Sequence, residues 1–210
     1  MTKLRVDIGL SHNAPISFYW LSNIKDIIVH GYEPNIENIK KIKSSRLYEI
    51  YKNKFCIYEY GLSDFEGQSD FYITLGDSGC SSLYVPNENL EYEYYKSVAQ
   101  IKNANIIFDN LKNETIELLK IDTQGSDFKI IKAIENNLDK VVFLDVEINA
   151  DKYVLDHDYQ RNKLISYLET KNFILLDRSF ENGRFMNKKY TSEISKNIFN
   201  NKTINGFLDY

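Results

Sequence analysis

A chain of 210 residues, 43% hydrophobic and 27% charged, has the length and balance of one soluble globular domain with a sizeable core. The net charge of −4, with Lys and Arg scattered among Asp and Glu, argues against a nucleic-acid groove, which would show as a basic cluster. No stretch approaches the ~20 apolar residues of a membrane span, and MTKLRVDIGL runs straight into a strand pattern, so a cytoplasmic protein with no membrane partner is expected.

In chain order, LRVDIG (4–9) predicts a short strand, and Pro15 fits the first turn of a helix over ISFYWLSN, where its missing N–H does no harm. DIIVHGYE (26–33) predicts a second strand, and PNIENIKKIKSS (34–45) a helix with Ile36, Ile39 and Ile42 at helical spacing. KFCIYEYGL (54–62) reads as a third strand. QSDFYITL (68–75) alternates like a hairpin arm or extra strand, and NENLEYEYYKSVAQI (87–101) reads as a helix or an irregular lid. ETIELLKID (114–122) ends in a strand, followed by an amphipathic helix over SDFKIIKAIENN (126–137) and an apolar fifth strand, KVVFLDVEIN (140–149). DYQRNKLISYLETKN (158–172) reads as a helix, with FILLDRS (173–179) and KTINGFLDY (202–210) as closing strands and ENGRF between them. Cys56 and Cys80 form no CxxC and read as buried or half-buried thiols of a reducing compartment.

Alternating strand and helix predict an α/β fold with a parallel sheet, helices on both faces and right-handed crossovers. Ligands of such sheets sit beyond the carboxyl ends of the strands, where strand order reverses. Acidic residues end several strands here: Asp7, Glu33, Asp122, and the pair Asp145 and Glu147. Glu33 can accept hydrogen bonds from both hydroxyls of a ribose, or it can be a helix-start carboxylate favoured by the dipole. The first turn, DIGLSHNAPIS, allows close backbone approach at Gly9, and Asn13 adopts positive φ more readily than most residues. Because this turn is not GxGxxG, it disfavours a dinucleotide; a nucleoside without phosphates, such as S-adenosylmethionine, asks less of it.

VDIG, GYEPNIENIKKI, YGLSDFEGQSDFYI, GCSSL, LLKIDTQGSDFKIIKAI and VVFLDVEIN, in that order, resemble the motifs of FkbM-type methyltransferases over most of residues 4–149. The resemblance implies a Rossmann-like class I methyltransferase fold, with a mostly parallel seven-stranded sheet, in a single domain, 1–210. Residues 1–149 would form the cofactor-binding core, and 150–210 an acceptor-side helix and closing strands. It also implies S-adenosylmethionine as cofactor and an oxygen as the usual acceptor. Asp7 and Gly9 would line the methionine end, Glu33 and the neighbouring Asn35 of the EPN motif the ribose, Ser63 and Asp64 the adenine, and Asp122 the sulfonium and acceptor. The chain departs from the family at the first turn, with GLSHN for the usual GAN.G and Asn13 where Gly is usual.

An alcohol acceptor must lose its proton as the new bond forms, and a base within ~3 Å would help by about 10²–10⁴-fold. Asp122 is the first candidate; the alternative is a carboxylate that caps the following turn. His157, after the fifth strand, is the second candidate base. His12 could contact the methionine carboxylate, whereas His30, inside an apolar strand, reads as structural. Asp122 and Glu147, with Asn149 beyond, could hold Mg²⁺ or another divalent cation through oxygen ligands. The tyrosine-rich stretch 84–97 suits stacking on sugar rings, and GDSGCSSL (76–83) suits a loop closing over the cofactor. The reading is an O-methyltransferase of a sugar or glycan hydroxyl, with another small hydroxylated molecule, or a non-catalytic module of the same fold, as alternatives.

Overall fold

In a computed structural model the chain is described at residues 2–87, 93–111, 114–148, 153, 161–179 and 181–192. His157, Asn149 and the expected closing strand at 202–210 lie outside the described residues.

Parallel strands β1 (Lys3–Ile8), β2 (Ile27–Tyr32) and β3 (Phe55–Tyr58) form one half of the main sheet. The other half holds β7 (Ile116–Ile121), β8 (Val141–Glu147), β9 (Phe173–Arg178) and β10 (Asn182–Asn187). The strand order is β3-β2-β1-β7-β8-β10-β9, with β10 antiparallel to both of its neighbours. The reversal of strand order falls between β1 and β7, so the crevice beyond their carboxyl ends is the place for a ligand.

The sequence segments differ from this arrangement in four places. The seventh strand is β10, NGRFMN, in the stretch expected to be a connection; Gly183, Phe185 and Asn187 are buried along it while the residues between them are less so. KFCIYEYGL is two strands, β3 and β4 (Gly61–Ser63), which part company at Glu59 and Tyr60. Within 87–101, the chain from Tyr94 onward is neither helix nor irregular. It is β6 (Tyr94–Asn103), antiparallel to β5 (Gly67–Thr74) and parallel to β4 in a separate three-stranded sheet. The helix after Asp122 is shorter than the pattern suggested: it spans Asp127–Ala133, and a 3₁₀ turn follows at Glu135–Lys140. Cys56 is exposed rather than buried.

Helices cover both faces. On one, α1 (Pro15–Asn23) and α2 (Ile36–Ser44) pack Phe18, Leu21 and Ile42 on Val29 and Phe55. A short α3 (Arg46–Tyr51) follows, its N-terminus capped by Ser45, whose hydroxyl accepts from Tyr48 N. On the other face lie α4 (Ala104–Asn110), α5 (Asp127–Ala133) and α6 (Arg161–Thr170), with Phe108, Ile130, Ile131, Leu164 and Leu168 against Val6, Leu119 and Leu144. Burial on both faces explains why the central strands read as near-continuous apolar runs. It also singles out several charged residues in them, among them Arg5, Asp7 and Lys120, as positions where apolar packing alone does not account for the residue. Among the described residues no helix is long and apolar enough to cross a membrane.

Candidate active site

The crevice is built around Gly9. Its φ is +90°, and an added Cβ would lie 1.9 Å from the Asp122 carbonyl oxygen. Only glycine lets the turn after β1 pass so close to the end of β7. Asp122 N donates to Ile8 O and Gly9 N to Tyr32 O, each at 3.0 Å, so the three strand ends are tied together there. Beyond Gly9, the left-handed residues are Ser11 (φ 60°) and Ala14 (φ 45°), not Asn13; Asn13 is exposed and lines neither compartment of the crevice. Leu10 is buried in the core beneath α1, which leaves the Ser11 N–H to point into the crevice.

That N–H donates to Glu33 Oε2 at 3.0 Å, while Glu33 Oε1 accepts from Asn35 N at 2.9 Å and from Asn38 Nδ2 at 3.4 Å. The Asn35 side chain is used locally, accepting from Glu37 N to cap α2. Glu33 is 4% exposed, and burial pushes its carboxyl up to about 7, with these hydrogen bonds and Lys120 pulling the other way.

Asp122 is not the cap of the turn that follows it. Asp127, wholly buried, takes that role: its two oxygens accept from Thr123 N (3.1 Å) and Gly125 N (3.0 Å). Burial and the neighbouring Asp122 charge push the Asp127 carboxyl up to about 6. Relieved of capping, the Asp122 side chain is 36% exposed in the crevice. Its Oδ1 accepts from Gln124 Nε2 at 2.7 Å, and its Oδ2 lies 3.5 Å from Lys120 Nζ. The Tyr153 hydroxyl stands 2.7 Å from both Gln124 Oε1 and Cys80 O, linking this carboxylate to the roof.

Asp7 lies one layer down. It is 1% exposed, accepts from Ser17 Oγ at 2.6 Å and pairs with Lys120 at 3.1 Å; it reaches the crevice only through that lysine. Ser63 and Asp64 hydrogen-bond each other at the end of β4 (3.1 Å), where Gly61 and Leu62 are the residues that line the crevice. His12 lines the larger compartment, its Nδ1 3.2 Å from Ser11 Oγ. His30 is half-buried against Tyr58, and burial lowers its pKa, in keeping with a structural role.

The loop 77–81 roofs the crevice and divides it. Ser78 Oγ donates to Asn38 Oδ1 at 2.8 Å, and a Cβ on Gly79 would stand 2.7 Å from Ser11 Oγ. On one side of this pinch is a compartment of about 60 Å³ bounded by Tyr32, Glu33, Leu62, Phe71 and Ile101. On the other is a cavity of about 670 Å³ whose walls include Lys120, Asp145, Asp177, Arg178, Asn182 and Arg184. Gly9, Ser11, Gly79 and Asp122 face both. The smaller compartment sets the Glu33 carboxylate, an acceptor for hydroxyl groups, beside the apolar walls of Leu62, Phe71 and Ile101.

The described residues give no support for a divalent cation. Among the described residues no three His, Cys, Asp or Glu side chains converge as a metal site. The Asp122 carboxylate already has the Lys120 ammonium and the Gln124 amide as partners, and Glu147 is 1% exposed.

The sequence reading missed Lys120, Asn38, Ser78, Gln124 and Arg184. Ser78 lies in the GDSGCSSL loop, Asn38 in GYEPNIENIKKI, and Lys120 and Gln124 in LLKIDTQGSDFKIIKAI, but those stretches gave these residues no role. Lys120 and Arg184 acquire their places by pairing across the sheet, Asn38 from α2 and Gln124 from the turn after β7.

Strand order and crevice define a class I methyltransferase fold. The chain belongs to the methyltransferase FkbM domain family, whose model matches residues 7–175, and is thereby an S-adenosylmethionine-dependent methyltransferase. The "putative rRNA-methylase" of Clostridium thermocellum shares the fold, with a TM-score of 0.50, 11% identity and 88% of each chain covered. The "putative caffeoyl-CoA O-methyltransferase" of Staphylococcus aureus has a TM-score of 0.48 and 13% identity, over 88% of this chain and 76% of that one. No curated protein matches the sequence.

Proposed function

We propose that the protein transfers a methyl group to a hydroxyl of a neutral sugar or glycan. The observation that carries this reading is the row of charged side chains in the cavity of about 670 Å³ that opens from Asp122. The cavity floor carries this row in register across four strands, Lys120, Asp145, Arg184 and Asp177. Carboxylates and guanidinium groups of this kind exchange hydrogen bonds with a polyhydroxylated acceptor, whereas an aromatic acceptor would displace their water without replacing its hydrogen bonds.

Glu33 would hold the ribose of S-adenosylmethionine, which would supply an electrophilic methyl group and leave, with the carbon–sulfur bonding pair, as S-adenosylhomocysteine. Asp122 would take the acceptor proton, so that the acceptor becomes a methyl ether and Asp122 is protonated. Gln124 and Lys120 fix the orientation of that carboxylate, and such alignment is worth about 7–11 kcal/mol of the barrier when complete. The roof at 77–81 keeps water from the reacting atoms.

The test is a screen with methyl-labelled donor against neutral sugars, sugar phosphates, catechols and nucleic acids. Label on a neutral sugar, retained as an ether after mild base, is the expected outcome. Exclusive labelling of catechol or nucleic acid would replace the acceptor named here.

A further inference from the structure

We propose that Lys120 reads the amino-acid end of the cofactor, gripping its α-carboxylate; the inference rests on the S-adenosylmethionine reading above. Lys120 stands on β7 in register with Asp7 of β1, on the face covered by α1. Its side chain is only 14% exposed. Nζ donates to Asp7 Oδ1 and to the Gly9 carbonyl, each at 3.1 Å, and lies 3.5 Å from Asp122 Oδ2.

On its other flank Lys120 is in register with Asp145, but Arg184 holds that carboxylate through Nε and Nη2, each at 2.7 Å. The ammonium is therefore turned toward the first turn, at the wall where Gly9, Ser11 and His12 meet the larger cavity. A nucleoside seated on Glu33 must send its amino-acid arm past Gly9 into this wall.

Charge decides what the wall can accept. Asp7, Asp122 and Lys120 together carry a net charge of −1, and S-adenosylmethionine, with sulfonium, ammonium and carboxylate, carries +1. The Gly9 carbonyl, with a second lone pair, is an acceptor suited to the ligand ammonium. Without Lys120, the ligand carboxylate would meet two bare carboxylates and be repelled. The opposite arrangement is an ammonium that merely stands in for the ligand's own and is displaced by it. The two arrangements predict opposite effects of removing the charge.

The experiment is calorimetric titration of the wild-type chain, Lys120→Gln and Lys120→Arg with S-adenosylhomocysteine and with its decarboxylated analogue, alongside thermal midpoints. The wild type should prefer the carboxylate-bearing ligand by about tenfold or more, the value of one charge-assisted hydrogen bond. Lys120→Gln should lose that preference by weakening S-adenosylhomocysteine while binding the analogue as well as before or better. Lys120→Arg should retain it. Unchanged or tighter S-adenosylhomocysteine binding by Lys120→Gln would overturn the grip in favour of a stand-in. A parallel loss of both ligands with a lowered midpoint would make Lys120 a scaffold residue. Wild-type protein that binds neither ligand would overturn the cofactor reading, and the grip with it.

Discussion

The two ends of the β1–β7 pair carry similar charge clusters with different surroundings. At the amino end, Arg5 donates to Glu117 at 2.8 Å, Lys3 adds a second contact at 2.5 Å, and the guanidinium lies 5.2 Å from the centre of the Trp20 ring. At the carboxyl end, Lys120 sits between Asp7 and Asp122. Each cluster has three charges, two of one sign and one of the other. At the amino end the surplus charge belongs to Lys3, whose side chain is 43% exposed to water. At the carboxyl end it belongs to Asp122, 36% exposed into the crevice. Buried charge alone therefore does not mark a functional site. The mark is a surplus that water does not absorb and that a ligand of opposite charge would.

Substitutions at the two ends should separate these roles, and Gly9→Ala should have the largest effect. Its Cβ would enter the Asp122 carbonyl, and φ of +90° disfavours any side chain. A loss of about 2–5 kcal/mol in stability is expected from overlap and backbone strain together. S-adenosylhomocysteine binding should vanish at millimolar ligand. Urea unfolding and calorimetry check both, and near-normal affinity would show that the turn can move away from β7.

Asp122→Asn comes next. The amide keeps the shape and loses the base, so turnover should fall by about 10²–10⁴-fold. S-adenosylhomocysteine affinity should stay within about threefold, because the variant retains the Gln124 contact through one oxygen. Turnover near that of the wild type would remove Asp122 from proton transfer.

Glu33→Gln should act on binding rather than rate, and pH reveals it. The Glu33 carboxyl lies at about 7 in the folded protein, against an ordinary value of 4.5. Only the ionised form accepts from both ribose hydroxyls, so affinity should rise about tenfold per pH unit below 7 and level off above it. For stability the sign is reversed. A raised carboxyl pKa means the fold holds the proton more tightly than the unfolded chain, so Glu33 costs stability as pH rises from 4.5 to about 7. Asp127, at about 6, adds a slope in the same direction. Glu33→Gln should flatten the affinity profile and weaken binding by about 1–3 kcal/mol at pH 8. A profile unchanged by the substitution would assign the pH dependence to another group.

Much of this architecture was legible where local chemistry alone decides it. Pro15 at the start of α1, the Ile36–Ile39–Ile42 spacing, and the apolar runs of β1, β7 and β8 follow from residues a few positions apart. β10 was not legible, because Asn182, Gly183 and Asn187 have the composition of a turn and its pairing with β8 and β9 is what makes it a strand. β6 was hidden for a related reason. Most of its residues are exposed or half-exposed, with Ala99 and Ile101 the buried ones, so its apolar pattern is faint. In the crevice, Glu33, Gly9 and Asp122 could be read from their places at strand ends. Lys120 reads as one more lysine in an apolar run, and only its sheet partner, 113 residues away, gives it a place between two carboxylates.

The smallest effect belongs to the amino end, with Arg5→Met. Methionine retains much of the apolar stem over Trp20, and Glu117 keeps Lys3 as a partner at 2.5 Å. Deleting one member of a buried pair is costly when it strands the other, and the remaining lysine limits that cost to about 1–2 kcal/mol. For a chain of this length the thermal midpoint should drop by about 3–6 °C. S-adenosylhomocysteine affinity and turnover should stay within about twofold, since Arg5 is buried against Trp20 of α1 and lines neither compartment of the crevice. A matched loss of affinity would mean that strain at Arg5 travels two residues along β1 to Asp7. The two ends would then be one electrostatic unit, and the carboxyl-end cluster would owe part of its geometry to the scaffold pair beneath α1.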